Sequence, residues 1–504
     1  MRKPQNHILV IFGASGDLTV RKLIPALADL YKQELLPEKF AVLGLGRTKL
    51  SDEEFRQKMK KSIKEFSAKE NQCPDQFIKM LHYYAFNTKN ESEYGGFREK
   101  LEELDAELGT QNNFIFYLAT PPSMYSLIPG FLASQGLNRQ ERGFRRLIIE
   151  KPFGHDLKSA RKLNAELLEN FKEEQIYRID HYLGKETVQN LLVTRFSNMI
   201  YEPLWNRNLI HHVEVTSGED MGVGTRGSYY EESGAMRDMV QNHLLLLTSL
   251  VAMEPPTLVN AESIRNEIVK VLQSLRPIPT DKVEDYVIRG QYMASKMRGQ
   301  EVRGYRQEEG VDPESRTETF VAMKFFIDNW RWAGVPFYIR TGKMLPTRVT
   351  EIVIHFQPTP HHLFSDDPQI VRQQNQLVIR IQPDEGLLLK FGMKVPGAGF
   401  RVQDVNMDFH YSELGDTYLP SAYERLLLDC MLGDPTLYSR GDAVEAAWKF
   451  IDPILRTWQE RPGIKMHGYP AGSWGPDVSD DLIEGKMTWR YPCKNLSDGY
   501  YCEL

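Results

Sequence analysis

The hydrophobic pattern of this chain changes its period partway along. Up to about residue 180, short unbroken apolar runs alternate with longer stretches of helical spacing. His7-Ile8-Leu9-Val10-Ile11-Phe12 reads as a buried parallel strand. Gly13 to Gly16 then turn into a helical pattern through Leu18, Leu23, Leu27 and Leu30. Phe40 to Leu45, Phe114 to Leu118 and Arg146 to Glu150 read as further strands, and residues 52 to 70 as a charged helix. This alternation predicts a parallel sheet with helices on its faces.

Beyond residue 180 the spacing shifts toward two. Glu318 to Ile327, Thr350 to Phe356, Leu377 to Gln382, Leu387 to Phe391 and Val405 to Tyr411 read as strands. Alternation is clean at Ile352/Ile354/Phe356 and at Val405/Met407/Phe409/Tyr411, which suits a sheet with one face on helices and the other on solvent or a partner. Helical patterns follow at Ala422 to Leu432 and Asp442 to Gln459. The prediction is an α/β domain over residues 1–179 and an α+β domain with a large, mostly antiparallel sheet over 180–504. Ligand clefts favour such junctions.

Composition adds exclusions. The chain has 504 residues, 41% hydrophobic and 26% charged, with formal net charge −6. That balance gives no support for nucleic acid or an anionic membrane as partner. The apolar runs Ile8 to Phe12 and Leu244 to Met253 are too short to span a bilayer. Cys73, Cys430, Cys493 and Cys502 form no C-x-x-C pair. A reducing, cytoplasmic setting is expected. Neither His211-His212 nor His361-His362 has supporting ligands at useful spacing, so no metal is expected.

The candidate chemistry concerns anions. Gly13-Ala14-Ser15-Gly16-Asp17-Leu18-Thr19 lies between a strand and a helix, where glycines let backbone approach a pyrophosphate and the helix start supplies N–H groups. The alternative is a plain turn with Asp17 capping the helix. After the second strand comes Gly44-Leu-Gly46-Arg47-Thr48-Lys49, with no acid between Ala41 and Leu50; an arginine there accommodates a ribose 2′-phosphate, favouring NADP over NAD. In Glu150-Lys151-Pro152-Phe153 the proline holds Lys151 extended at the strand's carboxyl end. Arg178-Ile-Asp180-His181-Tyr182-Leu-Gly184-Lys185-Glu186 gathers donors suited to a phosphate. On a helix Arg178, His181, Tyr182 and Lys185 would share a face; alternatively Gly184 marks a helix start, and His181 and Lys185 act from the loop and first turn. His243 edges the apolar stretch Leu244 to Leu247. A lone histidine there is usually a satisfied core residue; the functional reading is a general base oriented by Asp180. Arg340-Thr-Gly342-Lys343 presents either Lys343 to a cleft or solvated cations on a surface turn.

Taken together and in this order, these motifs resemble those of the glucose-6-phosphate dehydrogenase family. The resemblance extends through Arg237-Asp238, Gln241-Asn242-His243, Asp328 to Phe337, Gln382-Pro-Asp-Glu-Gly386, Ala422-Tyr-Glu-Arg-Leu426 and Gly472-Ser-Trp-Gly-Pro476. It implies a Rossmann-like first domain, and dimerisation or tetramerisation through the sheet of the second. It implies oxidation of glucose 6-phosphate to the lactone with hydride transfer to NADP, opening the oxidative pentose phosphate pathway. By match, Gly13, Ala14, Ser15, Gly16, Asp17, Leu18, Thr19, Val20, Arg47 and Lys151 would contact the cofactor. Lys151, His181, Tyr182, Lys185, Glu219, Asp238, Lys343 and Arg348 would bind the sugar phosphate. His243 would accept the proton, paired with Asp180. No cofactor contact is carried over for His82 to Thr88, where relatives have an aspartate, and the tail Lys486 to Leu504 matches no usable motif. Competing readings are a non-catalytic NADP or sugar-phosphate sensor, and a dehydrogenase of another hexose phosphate.

Overall fold

The computed structural model describes residues 3–67, 74–361, 363–364, 374–414, 418–485 and 487–492. Cys73, His362, Cys493 and Cys502 lie outside the described residues. Packing divides the chain into two compact units. The first comprises residues 1–186, 256–266 and 419–445; the second comprises 187–255, 267–418 and 446–504.

In the first unit β1 (His7–Phe12), β2 (Phe40–Gly46), β3 (Leu81–Ala85), β4 (Phe114–Leu118), β5 (Arg145–Ile149) and β6 (Ile176–Ile179) are parallel, in the order β6-β5-β4-β1-β2-β3. Every residue of β1, β2 and β4 is buried, which is why their sequences are apolar runs rather than alternations. The order reverses direction between β1 and β4, and a doubly wound sheet binds ligands at such a point.

The sequence suggests one cut after residue 179, whereas the packing returns two later segments to the first unit. Helix Ala422–Leu432 lies against helix Ile24–Lys32. The Arg146 guanidinium donates to the carbonyls of Cys430 and Met431 at 2.7 and 2.9 Å. Such long-range pairings leave no local mark in the chain.

The second unit holds β7 (Ile210–Gly218), β8 (Val287–Met293), β9 (Phe320–Phe326), β10 (Pro336–Gly342), β11 (Val349–Phe356), β12 (Gln376–Gln382), β13 (Gly386–Lys394) and β14 (Val402–His410). In the first unit, β15 (Tyr438–Ser439) adds antiparallel to β6. In the second, β16 (His467–Pro470) closes one edge of a sheet ordered β14-β13-β12-β11-β7-β10-β9-β8-β16. All its neighbours are antiparallel except β7 with β10 and β8 with β16.

The period-two pattern marks an open face at one end of this sheet only. Met407 on β14 is 62% exposed. On β11, by contrast, Glu351, Val353 and His355 are as buried as Ile352 and Ile354. The reason is the segment 487–492, which covers that side: Arg490 N donates to Glu214 Oε2 at 3.0 Å and Trp489 is buried.

Candidate active site

The first unit holds a cleft of about 330 Å³ at the carboxyl ends of β1 to β4. Gly13, Ser15 and Gly16 line it after β1, Gly46 at the end of β2 with Arg47 just beyond, Asn87, Thr88 and Lys89 after β3, and Ala119 to Pro121 with Ser123 and Met124 after β4. Gly13 has φ +85°, and a Cβ there would stand 2.2 Å from the Ala119 carbonyl oxygen. The turn is pinned from both sides. Gly13 N and Ala14 N both donate to the Leu45 carbonyl at 2.9 Å, and Thr19 Oγ1 donates to the Gly13 carbonyl at 3.2 Å.

None of the lining residues is acidic, while Arg47 and Lys89 are exposed cations. Glycine backbone beside two cations fits a dinucleotide carrying an extra ribose phosphate. Ala14 and Thr19 are buried and shape the turn, whereas Asp17 is solvent-facing and 3.7 Å from Arg21. Leu18, Val20 and Lys151 stand outside the lining. The segment given no role in sequence, Asn87-Thr88, lies in the cleft with Lys89; the available signal was its place after β3, not its residue types.

Below Lys151, which is joined to Pro152 by a cis peptide bond, Glu150 is half-buried. It accepts hydrogen bonds from Tyr117 Oη at 2.6 Å and Tyr423 Oη at 3.2 Å. Burial raises its pKa, and the two phenols oppose that rise.

The nonapeptide of the first unit is not a helix face. Arg178 belongs to β6, fully buried, and its guanidinium donates to Glu173 Oε1 at 2.6 Å and Asn164 Oδ1 at 3.2 Å. It is a structural tie, not a phosphate ligand. The chain then turns through His181 to Gly184, ahead of the helix Glu186–Phe196. Asp180 Oδ1 accepts from Tyr182 N at 2.9 Å, which sets the turn. Lys185 Nζ lies 4.8 Å from the Tyr182 ring centroid, and the rings of His181 and Tyr182 are 5.0 Å apart. Three donors are thus grouped in one short loop. Gly184 has no room for a side chain, since a Cβ would meet the Ala422 carbonyl oxygen and Leu426 Cγ at 2.9 Å.

The second unit carries Glu219, Asp238, His243, Lys343 and Arg348. Its parallel pair β7 and β10 places Gly218 opposite Gly342, so Glu219 and Lys343 leave adjacent strand ends. Lys343 Nζ donates to Glu219 Oε2 and stands 5.0 Å from the Tyr230 ring centroid. Burial pushes the Tyr230 phenol well above its ordinary value, and Asp238, Glu318 and Glu219 push it further.

Asp238 and His243 sit five residues apart on the π-helical segment Met236–Leu244. That wider turn brings positions five apart onto one side, and π segments recur at functional sites. Gly234 (φ +65°) breaks the preceding helix, and Glu318 Oε1 accepts from Met236 N at 3.0 Å, anchoring the segment's start. His243 is buried.

The surface-turn reading of the Arg340 to Arg348 stretch fails for its first members. Arg340 is fully buried, its guanidinium within 5.0 Å of the Trp474, Trp489 and Tyr491 rings, and Lys343 is buried too. Arg348 alone among these cations is exposed, one residue before β11.

Residues 10–190 match the family described as "Glucose-6-phosphate dehydrogenase, NAD binding domain", and residues 192–490 match "Glucose-6-phosphate dehydrogenase, C-terminal domain". The chain is 54% identical over 504 residues to the glucose-6-phosphate 1-dehydrogenase of Treponema pallidum (strain Nichols), covering 99% of this chain and 98% of that one. To the enzyme of the same name from Bacillus subtilis (strain 168) it is 46% identical, covering 96% and 98%. A solved glucose-6-phosphate dehydrogenase in complex with its substrate glucose-6-phosphate superposes with a TM-score of 0.88 at 37% identity, covering 97% of this chain and all of that one.

Proposed function

The chain belongs to the glucose-6-phosphate dehydrogenase family, and on that premise we propose that it oxidises glucose 6-phosphate to 6-phosphogluconolactone with NADP, the first step of the oxidative pentose phosphate pathway. What carries this reading is full-length family membership joined to a dinucleotide cleft whose only charged lining groups are cations.

NADP, when bound, supplies the hydride acceptor. Gly13, Ser15 and Gly16 would hold its pyrophosphate, on a turn framed by Ala14, Asp17, Leu18, Thr19 and Val20. Arg47, with Lys89, would hold the 2′-phosphate, and Lys151 would serve cofactor and sugar alike. His181, Tyr182 and Lys185 clamp the sugar's phosphate through charge-assisted hydrogen bonds. Remote binding of this kind orients the reacting carbon. Glu219, Asp238, Lys343 and Arg348 bind the sugar hydroxyls. His243 takes the anomeric hydroxyl proton, and Asp180 orients its ring and stabilises the imidazolium. No covalent intermediate is needed.

We also infer a homodimer or homotetramer through the second unit's sheet, supported by the apolar residues exposed on β13 and β14, Met393 at 51% and Met407 at 62%. Light scattering of the purified protein tests it, and a monomer at micromolar concentration removes it. Among the described residues no helix is long and apolar enough to cross a membrane. The cytoplasmic location is part of the same proposal and is checked by cell fractionation.

The decisive assay follows nicotinamide absorbance with glucose 6-phosphate and either NADP or NAD. Reduction of NADP, and far slower turnover of unphosphorylated glucose, is the expected result. Turnover confined to a different hexose phosphate would replace the substrate, and binding without turnover would restore the sensor reading.

A further inference from the structure

We propose that His212, Glu214 and His355 form a binding site for one divalent transition-metal ion of the Zn²⁺ class, on the covered face of the second unit's sheet. β7 and β11 are antiparallel, and His212 stands directly opposite His355. Glu214 lies two residues further along β7, so its side chain leaves the same face as His212. Two ligands at i and i+2 and a third on the neighbouring strand converge on one point above a sheet. All three residues are buried, and their donor atoms lie within 4.8 Å of one another.

The two carboxylate–imidazole separations are close to those of a metal shell. Glu214 Oε1 is 3.2 Å from His212 Nε2 and 2.9 Å from His355 Nε2. Donors bonded at about 2.0–2.1 Å to a tetrahedral Zn²⁺ stand about 3.3 Å apart. Two imidazoles and one carboxylate are a donor set this class of ion accepts. The His355 nitrogen is near enough to Glu214 for an ion pair but not aligned for a hydrogen bond, so its interaction with the carboxylate is incomplete.

The outer contacts are those of a ligand shell. Arg490 N holds Glu214 Oε2 at 3.0 Å, and Gln376 Nε2 lies 3.4 Å from His355 Nδ1. Such partners fix the orientation of metal ligands. A bulge between His355 and Phe356 gives His211 no cross-strand partner, and His211 Nδ1 sits 2.8 Å from His212 Nδ1. Bulges re-aim side chains in this way. Half-buried His211 marks the way in from solvent.

The two imidazoles now stack at 3.8 Å and 16°. Ring nitrogens bind metals in the ring plane, so uptake must splay this stack. The ion would cross-link β7 to β11 and, through Glu214, brace the segment 487–492. None of this involves the dehydrogenase reading, and activity is not the readout.

The test uses the untagged full-length protein, stripped with a chelator and titrated with Zn²⁺ against a chromophoric competitor. One equivalent should bind, and the melting temperature should rise with it. Glu214→Gln and His355→Ala should each weaken binding by about 100-fold or more, with His211→Ala costing about 10-fold. Co²⁺ added to the wild-type chain should give visible ligand-field bands, a readout that needs no variant to fold. Absence of stoichiometric Zn²⁺ and Co²⁺ uptake by the wild type overturns the proposal and leaves a buried proton-sharing cluster. Uptake unchanged in both folded ligand variants overturns it equally.

Discussion

The glycine-lined cleft of the first unit and the strand ends around Lys343 in the second carry their charges in opposite ways. In the cleft, glycine backbone does the shaping and the cations Arg47 and Lys89 stay exposed. In the second unit Lys343 and Glu318 are buried and already engaged, Lys343 with Glu219 and Glu318 with Met236 N, and Arg348 stays exposed. Exposed cations keep their hydration until a ligand arrives, so each contributes modestly and separably. Buried charges must be satisfied by the protein itself, because an unpaired one costs several kcal/mol. The contrast teaches that a change in the cleft should be graded and cofactor-specific. A change in the second unit should couple binding, chemistry and stability.

His243→Asn tests the contrast most severely. It should lower kcat by roughly 10²–10⁴-fold with KM little altered, the usual span for losing a general base. Undiminished turnover would remove His243 from the mechanism.

Gly13→Ala comes next and probes the cleft's rigid part. The added methyl would meet the Ala119 carbonyl at 2.2 Å in a left-handed backbone. A loss of about 2 kcal/mol or more in denaturant stability, with weaker NADP binding, is expected. Wild-type values for both would show that the turn can shift at little cost.

Lys343→Ala should raise the KM for glucose 6-phosphate by roughly 10–100-fold and lower stability, because Glu219 loses its partner. Arg47→Ala should cut the preference for NADP over NAD by about 10-fold, leaving NAD turnover and the melting temperature unchanged. Steady-state kinetics on the two cofactors separate these outcomes. If Arg47→Ala also destabilised the chain, the division between exposed and buried cations would be wrong.

Glu318→Gln is the smallest effect and carries a sign. Burial raises the Glu318 pKa, so the folded protein keeps a proton that the unfolded chain has lost. Its contribution is whole below the ordinary glutamate range and disappears as pH climbs through the raised folded value. Glutamine can still accept from Met236 N. The variant should match wild type at low pH and exceed it at pH 8, read by urea denaturation. A pH-independent difference would contradict the assigned cause.

Much of the first unit was legible because its signals are local. An unbroken apolar run, a glycine turn and a helical period fall within the first 30 residues, and β1 and the turn after it stand where they predict. Arg178 was misread for the opposite reason. Its composition suits a phosphate, but its partners Glu173 and Asn164 come from elements that the spacing does not connect to it. The cleft residues after β3 escape the sequence reading because Asn87-Thr88 lacks the aspartate that relatives have there. Only their position at a strand's carboxyl end reveals them.

The order of apolar and polar residues by itself marked the strands and helices with the clearest period, since burial on one face or both imposes a period along the chain; β7 and β8 carried no mark that was read. It also suggested the chemistry on offer: glycines for a pyrophosphate, cations for phosphates, an imidazole for a proton. Tertiary structure alone decided which side chains meet. It returned residues 419–445 to the first unit, set Lys343 against Glu219, and brought His355 across from His212, 143 positions away in the chain. Contacts of that kind depend on strand order and register, which are fixed by the packing of the whole sheet and leave no trace in neighbouring residues.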